Sequence, residues 1–168
     1  IMNRFQGKNI LVTGGSSGIG AAAAIAFARE GARVAIPGRD AAGLARVKAE
    51  LGPNALALVS EAGDVSAQTA LVAELKAQMG VIDGVFINAG VAKFAPLAQI
   101  DEALWDSSFD TNVKGPYFLI QRLAALMTTF GQNVLADEAA YRLTLANEAD
   151  MAGLPAFLRD AARQAAAD

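Results

Sequence analysis

Residues 13 to 20, Thr13-Gly14-Gly15-Ser16-Ser17-Gly18-Ile19-Gly20, join permissive backbone to small hydroxyl side chains. That combination suits the binding of phosphate. Glycine lets a tight turn bring backbone close to an anion, and a helix starting at such a turn favours negative charge at its N-terminus. The candidate phosphate-binding residues are therefore Gly14, Ser16, Ser17, Gly18, Ile19 and Gly20. The same letters satisfy Gly-x-Ser-x-Gly over residues 14 to 18, the turn that presents a serine nucleophile in some hydrolases. That chemistry needs a histidine base, and the chain contains no histidine. Cysteine is also absent, so thiol nucleophiles, disulfides and thiolate metal sites are excluded, and with histidine gone the commonest transition-metal ligand is missing too. The carboxylate pairs Asp137-Glu138 and Glu148-Asp150 read as solvated charges or helix caps rather than metal ligands or acid/base partners.

The elements that must position the glycine-rich turn can be read from apolar periodicity. "KNILVTGG" is a nearly continuous apolar run ended by glycines, as expected of a strand buried on both faces. A helix is predicted over residues 18 to 30, ending at Gly31. "ARVAIPG" and "NALALVS" predict a second and third strand, separated by the helix "DAAGLARVKAEL". A helix at about 66 to 79 leads to a fourth strand in "VIDGVFINAG". From Asp101 to about Phe130 runs a long helical stretch, which Gly115 and Pro116 are expected to bend or divide. Beyond Gly131, Tyr141, Leu143 and Leu145 alternate with polar or smaller residues and predict a fifth strand. A last helix follows, with Leu154, Phe157, Leu158, Ala161 and Ala165 on one face and Pro155 in its first turn.

Strands alternating with helices imply a parallel sheet covered on both sides, and right-handed crossovers imply the strand order 3-2-1-4-5. The expected fold is a single α/β domain over residues 1–168, doubly wound and three-layered, with a five-stranded sheet. A glycine-rich turn between the first strand and the first helix of such a sheet is the Rossmann-like arrangement for binding a dinucleotide.

The glycine spacing, three residues and then one, resembles that of the short-chain dehydrogenase/reductase family. Three further segments agree with that family in order: "GDV" at 63 to 65, "NAG" at 88 to 90 and "TNVKGPYF" at 111 to 118. The resemblance covers residues 3 to about 121. It implies that Asp64 accepts from the adenine amino group and that Val65 lines the ring. It further implies that Asn88, Ala89 and Gly90 support the sheet and border the cofactor ribose, and that Asn112 bends the active-site helix and helps to hold a water. Family members that use the unphosphorylated dinucleotide tend to carry an acidic residue where Gly38 stands. Here Gly38 leaves space and Arg39 offers a guanidinium to a 2′-phosphate, so NADP is favoured over NAD.

The family's chemistry also uses a serine, a tyrosine and a lysine beyond Asn112, the last two four positions apart. No serine follows Ser108 and no lysine follows Lys114. Tyr141 is followed at that spacing by Leu145, which cannot stabilise a phenolate, and Tyr117 by Gln121. Residues 122–168 instead resemble a segment from the helical part of zinc oligopeptidases of the thimet oligopeptidase and peptidyl-dipeptidase type, through "FGQNVLADE" and "EADMAGLP". With no histidine to form a metal motif, that resemblance implies no peptidase activity. It places a junction near Gln121 and Arg122, with the second segment supplying the end of a helix, a fifth strand and a last helix.

With 14 basic and 17 acidic residues, the net charge of -3 offers no field for nucleic acid. No apolar run reaches the roughly 18 residues of a membrane span, and the N-terminus lacks a secretory pattern, so a cytoplasmic location is expected. Three functions remain open at this point. They are a dinucleotide-binding module with its catalytic groups missing and its binding weakened or lost, an NADP-dependent oxidoreductase completed by a partner, and a chimeric folding unit with no present function. Uncovered apolar surface on the 101–130 helix also predicts a homo-oligomer.

Overall fold

The computed structural model describes residues 3–127. Four short strands, β1 (Asn9–Val12), β2 (Arg33–Gly38), β3 (Leu56–Val59) and β4 (Gly84–Phe86), form one parallel sheet in the order β3-β2-β1-β4. Helices α1 (Gly18–Arg29), α2 (Ala41–Leu51) and α3 (Val65–Met79) make the first three crossovers, and α4 (Glu102–Phe109) and α5 (Gly115–Leu123) follow β4. The alternation and order read from the sequence are therefore present for the first four strands.

Period-two alternation along the strands divides the core into two layers. Ile10, Val12, Val34 and Ile36 face α1 and α2, where Ala24, Leu44 and Val47 pack against them. Leu11, Ala35 and Leu56 face the other way, toward Leu71, Leu75 and Met79 of α3 and Leu119 and Leu123 of α5. Strands covered on both faces must be apolar throughout, which is why β1 reads as an unbroken run rather than an alternating one.

The long helical stretch is broken, but just before Gly115 and Pro116 rather than at them. Residues Asp110–Lys114 form a π-helical turn between α4 and α5. Pro116 has no N–H to give the carbonyl four residues back, and widening the preceding turn accommodates that loss. Gly115 is buried, and a Cβ there would overlap the Ala62 carbonyl oxygen. Glycine at this position thus lets α5 lie against the loop that follows β3.

Met127 makes a parallel bridge to Ile82, and Ile82 N–H donates to Leu126 O at 2.9 Å. The chain therefore returns beside the start of β4 directly after α5. The fifth strand expected around Tyr141–Leu145, the last helix, the carboxylate pairs and the peptidase-like segment beyond Met127 lie outside the described residues. Among the described residues no helix is long and apolar enough to cross a membrane, and no cluster of acidic side chains could hold a metal ion.

Candidate functional site

In the order 3-2-1-4 the crossovers from β1 run one way along the sheet, and the return to β4 runs the other way. The loops after the strands consequently part at this switch point and leave a crevice. It is an open cleft of about 390 Å³, lined by Gly14, Ser16 and Ser17 after β1 and by Gly38, Arg39 and Asp40 after β2. Ser60, Glu61 and Ala62 after β3 and Asn88, Ala89, Gly90 and Val91 after β4 complete the wall. Residues predicted from three separate sequence segments thus converge on one cavity.

The glycine-rich turn is held in shape by its neighbours. Gly14 has φ +69 and Gly18 φ +55, in the left-handed region that side chains avoid. At Gly20 the constraint is space, because a Cβ would fall on the Gly14 carbonyl oxygen and 2.6 Å from Asn88 Nδ2. Ser17 stands at the N-cap of α1 without a side-chain capping bond. The first-turn N–H groups of a helix have no intrahelical partner, so α1 offers donors and the positive end of its dipole to an anion. Ile19, in that same turn, is 74% exposed.

Thr13 and Asn88 tie this turn to β4. The Thr13 hydroxyl oxygen accepts from the backbone N–H of Asn88 at 2.9 Å and of Ala89 at 3.0 Å. Asn88 Nδ2 donates to the Thr13 carbonyl at 3.1 Å. Buried backbone donors need acceptors, and one buried threonine supplies two of them here. These bonds join the loop after β4 to the turn after β1.

Asp64 and Val65 are not part of the cleft wall. The Asp64 carboxylate caps α3, its Oδ1 accepting from Ser66 N at 2.7 Å and Ala67 N at 3.2 Å, and Val65 is the first residue of that helix. Asn112 lies in the π turn, but its amide is occupied by the loop after β4. Its Oδ1 accepts from Val91 N and its Nδ2 donates to Val91 O, both at 2.8 Å. Gly90 permits that approach, since a Cβ on it would stand 3.2 Å from Asn112 Oδ1.

Several polar residues in and around the cleft were missed in the sequence. Glu61 faces Arg39, with Oε2 3.6 Å from Arg39 Nη1. Arg46 reaches back from α2, where its Nη2 donates to Ser16 O at 3.4 Å and puts a second guanidinium near the glycine-rich turn. Gln68 is 2% exposed and donates from Nε2 to Ala62 O at 2.7 Å, while its Oε1 and the Ser60 hydroxyl are buried without partners. The signal for Glu61 was its place just beyond β3, since parallel neighbours end side by side and Arg39 stands just beyond β2. Arg46 carried none, because reaching Ser16 depends on how α2 packs.

Comparison with known proteins agrees with this architecture. The family model described as short chain dehydrogenase matches residues 8–134, past the junction placed near Gln121 and Arg122. Sorbitol dehydrogenase of Cereibacter sphaeroides is 38% identical over 129 residues, which are 77% of this chain and 50% of the relative. D-threitol dehydrogenase of Mycolicibacterium smegmatis is 34% identical over 146 residues, 85% of this chain and 56% of the relative. A metagenomic short-chain oxidoreductase solved in complex with NADP superposes with a TM-score of 0.69 at 34% identity, covering 73% of this chain and 57% of that one. The chain spans about half the length of the curated relatives it matches. The ordered motifs, the 3-2-1-4 sheet with its switch-point cleft and the family match over residues 8–134 together establish that the chain belongs to the short-chain dehydrogenase family.

Proposed function

We propose that these 168 residues act as a dinucleotide-binding module that prefers the phosphorylated nicotinamide dinucleotide and does not carry out dehydrogenation by itself. The observation that carries this reading is the continuity of the cleft. It runs from the loop after β4 at Asn88, past Gly14 and the anion-favouring N-terminus of α1, to an open rim after β2 at Gly38, where Arg39 stands. At Gly38 even a Cβ would come no closer than 3.4 Å to its neighbours, the side chains of Ser16 and Leu44, so the rim has room for a substituted ribose. Arg39 supplies the charge suited to a 2′-phosphate, and the structural neighbour solved with NADP supports that choice. Asp64 can still serve the adenine amino group through Oδ2, since both capping bonds fall on Oδ1.

When bound, the dinucleotide would supply hydride chemistry. The protein's share of that chemistry needs a proton-transferring phenol with a lysine beside it, and no lysine follows Lys114 here. The module is proposed to be cytoplasmic, to bind neither membrane nor nucleic acid, and to self-associate. The rival reading is a chimeric folding unit without function, which the lack of a serine after Ser108 and of a lysine after Lys114 favours.

Calorimetric titration of the purified chain with NADP+ and NAD+ separates the two readings. Saturable binding of NADP+ below millimolar concentration, tighter than that of NAD+, is expected. No saturation by either would leave only the folding unit. Cofactor-dependent turnover of an alcohol or carbonyl compound that is lost in Tyr141→Phe would overturn the inactivity.

A further inference from the structure

The end of the cleft where Arg39 stands is built by the register of two parallel strands. Gly38 pairs with Val59, and Ser60 N donates to Gly38 O at 3.0 Å, so the residues just beyond β2 and β3 emerge side by side. Arg39 is the first residue beyond β2, and Glu61 is the second beyond β3, one past Ser60. The Glu61 carboxylate is held from two sides, with Oε1 accepting from Gly63 N at 3.4 Å and Oε2 3.6 Å from Arg39 Nη1. Both side chains line the cleft beside Gly38. Asp40 places a second carboxylate on the same rim, but Glu61 is the one paired with the guanidinium.

We propose that Glu61 is a specificity-determining residue of this cleft, holding down the affinity for the 2′-phosphorylated dinucleotide so that the preference over the unphosphorylated form stays narrow. The proposal rests on the dinucleotide reading of the site. A 2′-phosphate approaching Arg39 must displace the Glu61 contact and then lie close to a carboxylate of like charge. A 2′-hydroxyl carries no such penalty and can donate to that carboxylate. Juxtaposed like charges are a general means of rejecting one ligand among several. The pair is partly solvated, with side-chain exposures of 66% and 43%, so it can open for a ligand and its influence is graded.

The test titrates NADP+, NAD+ and 2′,5′-ADP into the full chain, wild type and Glu61→Gln, by calorimetry. Glu61→Ala serves as a second variant, with circular dichroism confirming the fold of each. Removing the carboxylate is expected to tighten NADP+ and 2′,5′-ADP by about tenfold while NAD+ changes by less than about twofold. Arg39→Gln is expected to weaken NADP+ and 2′,5′-ADP selectively. If the wild type binds but the Glu61 variants leave the NADP+ to NAD+ ratio unchanged, the inference fails and the dinucleotide reading stands. If no form binds any of the three ligands, both fail together.

Discussion

At the scale of single residues, the side chain with the clearest electrostatic consequence lies outside the cleft. Asp83 Oδ2 accepts from Asn9 N at 2.8 Å, and its Oδ1 lies 3.1 Å from Lys8 Nζ. The Asn9 N–H first, and Lys8 with it, hold the Asp83 carboxyl below the ordinary carboxylate value. A depressed folded value contributes stability that is complete above the unfolded value, near pH 4, and drains away as pH falls through the folded one. Asp83→Asn is therefore expected to cost about 1–2 kcal/mol at pH 7, or about 3–6 °C in Tm. The gap between variant and wild type should shrink as pH is taken toward 2. Melting curves at the two pH values check this, and an equal loss at both would show that the charge is not what matters. The contact is structural, since it fixes where β1 begins beside β4 and hence where the glycine-rich turn emerges.

Elements carry the next level, and the loop after β4 shows how. It is fastened to β1 through Thr13 and to the π turn through Asn112, whose amide takes both backbone groups of Val91. Asn112→Ala is expected to lower global stability by only about 1–2 kcal/mol, because the bonds are partly exposed. Hydrogen exchange at the Val91 amide should nonetheless accelerate by at least about tenfold. Asn112→Asp keeps the acceptor and loses the donor, and should fall between. Unchanged Val91 exchange in the alanine variant would refute the clamp. The same region marks the limit of what the sequence discloses. Strand and helix types up to β4 were legible because two-sided burial and the helical period leave separate patterns, and the glycine-rich turn because few residues tolerate the backbone at Gly14 and Gly18. The π turn was not legible, since Pro116 announces a missing donor without saying which turn adjusts. Nor was the occupation of Asp64 by α3, because a carboxylate before a helix serves as cap or ligand equally well in sequence.

For the whole molecule, the decisive feature is the outer surface of α4 and α5. Trp105, Phe109, Val113 and Tyr117 recur every fourth position and are exposed by 56%, 46%, 54% and 63%, with the Trp105 and Phe109 rings stacked at 4.3 Å between centroids. In an uninterrupted α-helix a four-residue spacing drifts steadily around the axis. The π turn holds one extra residue and rotates the next segment back, which keeps the four side chains in one stripe. Stripes of large apolar groups on this scale mark contact surfaces. An isologous pairing of two copies would bury each stripe against its twin, and the two-fold arrangement is the commonest one for soluble chains. Since Trp105 is the chain's one tryptophan, the association has a built-in reporter. Its emission should shift to the blue as concentration rises, in step with a doubling of mass in light scattering. Tyr117→Glu places a charge in the stripe without touching the cleft, and is expected to give a monomer with red-shifted emission and unaltered dinucleotide affinity. A wild-type monomer with solvent-like emission at high concentration would show instead that the stripe does not bind a second copy.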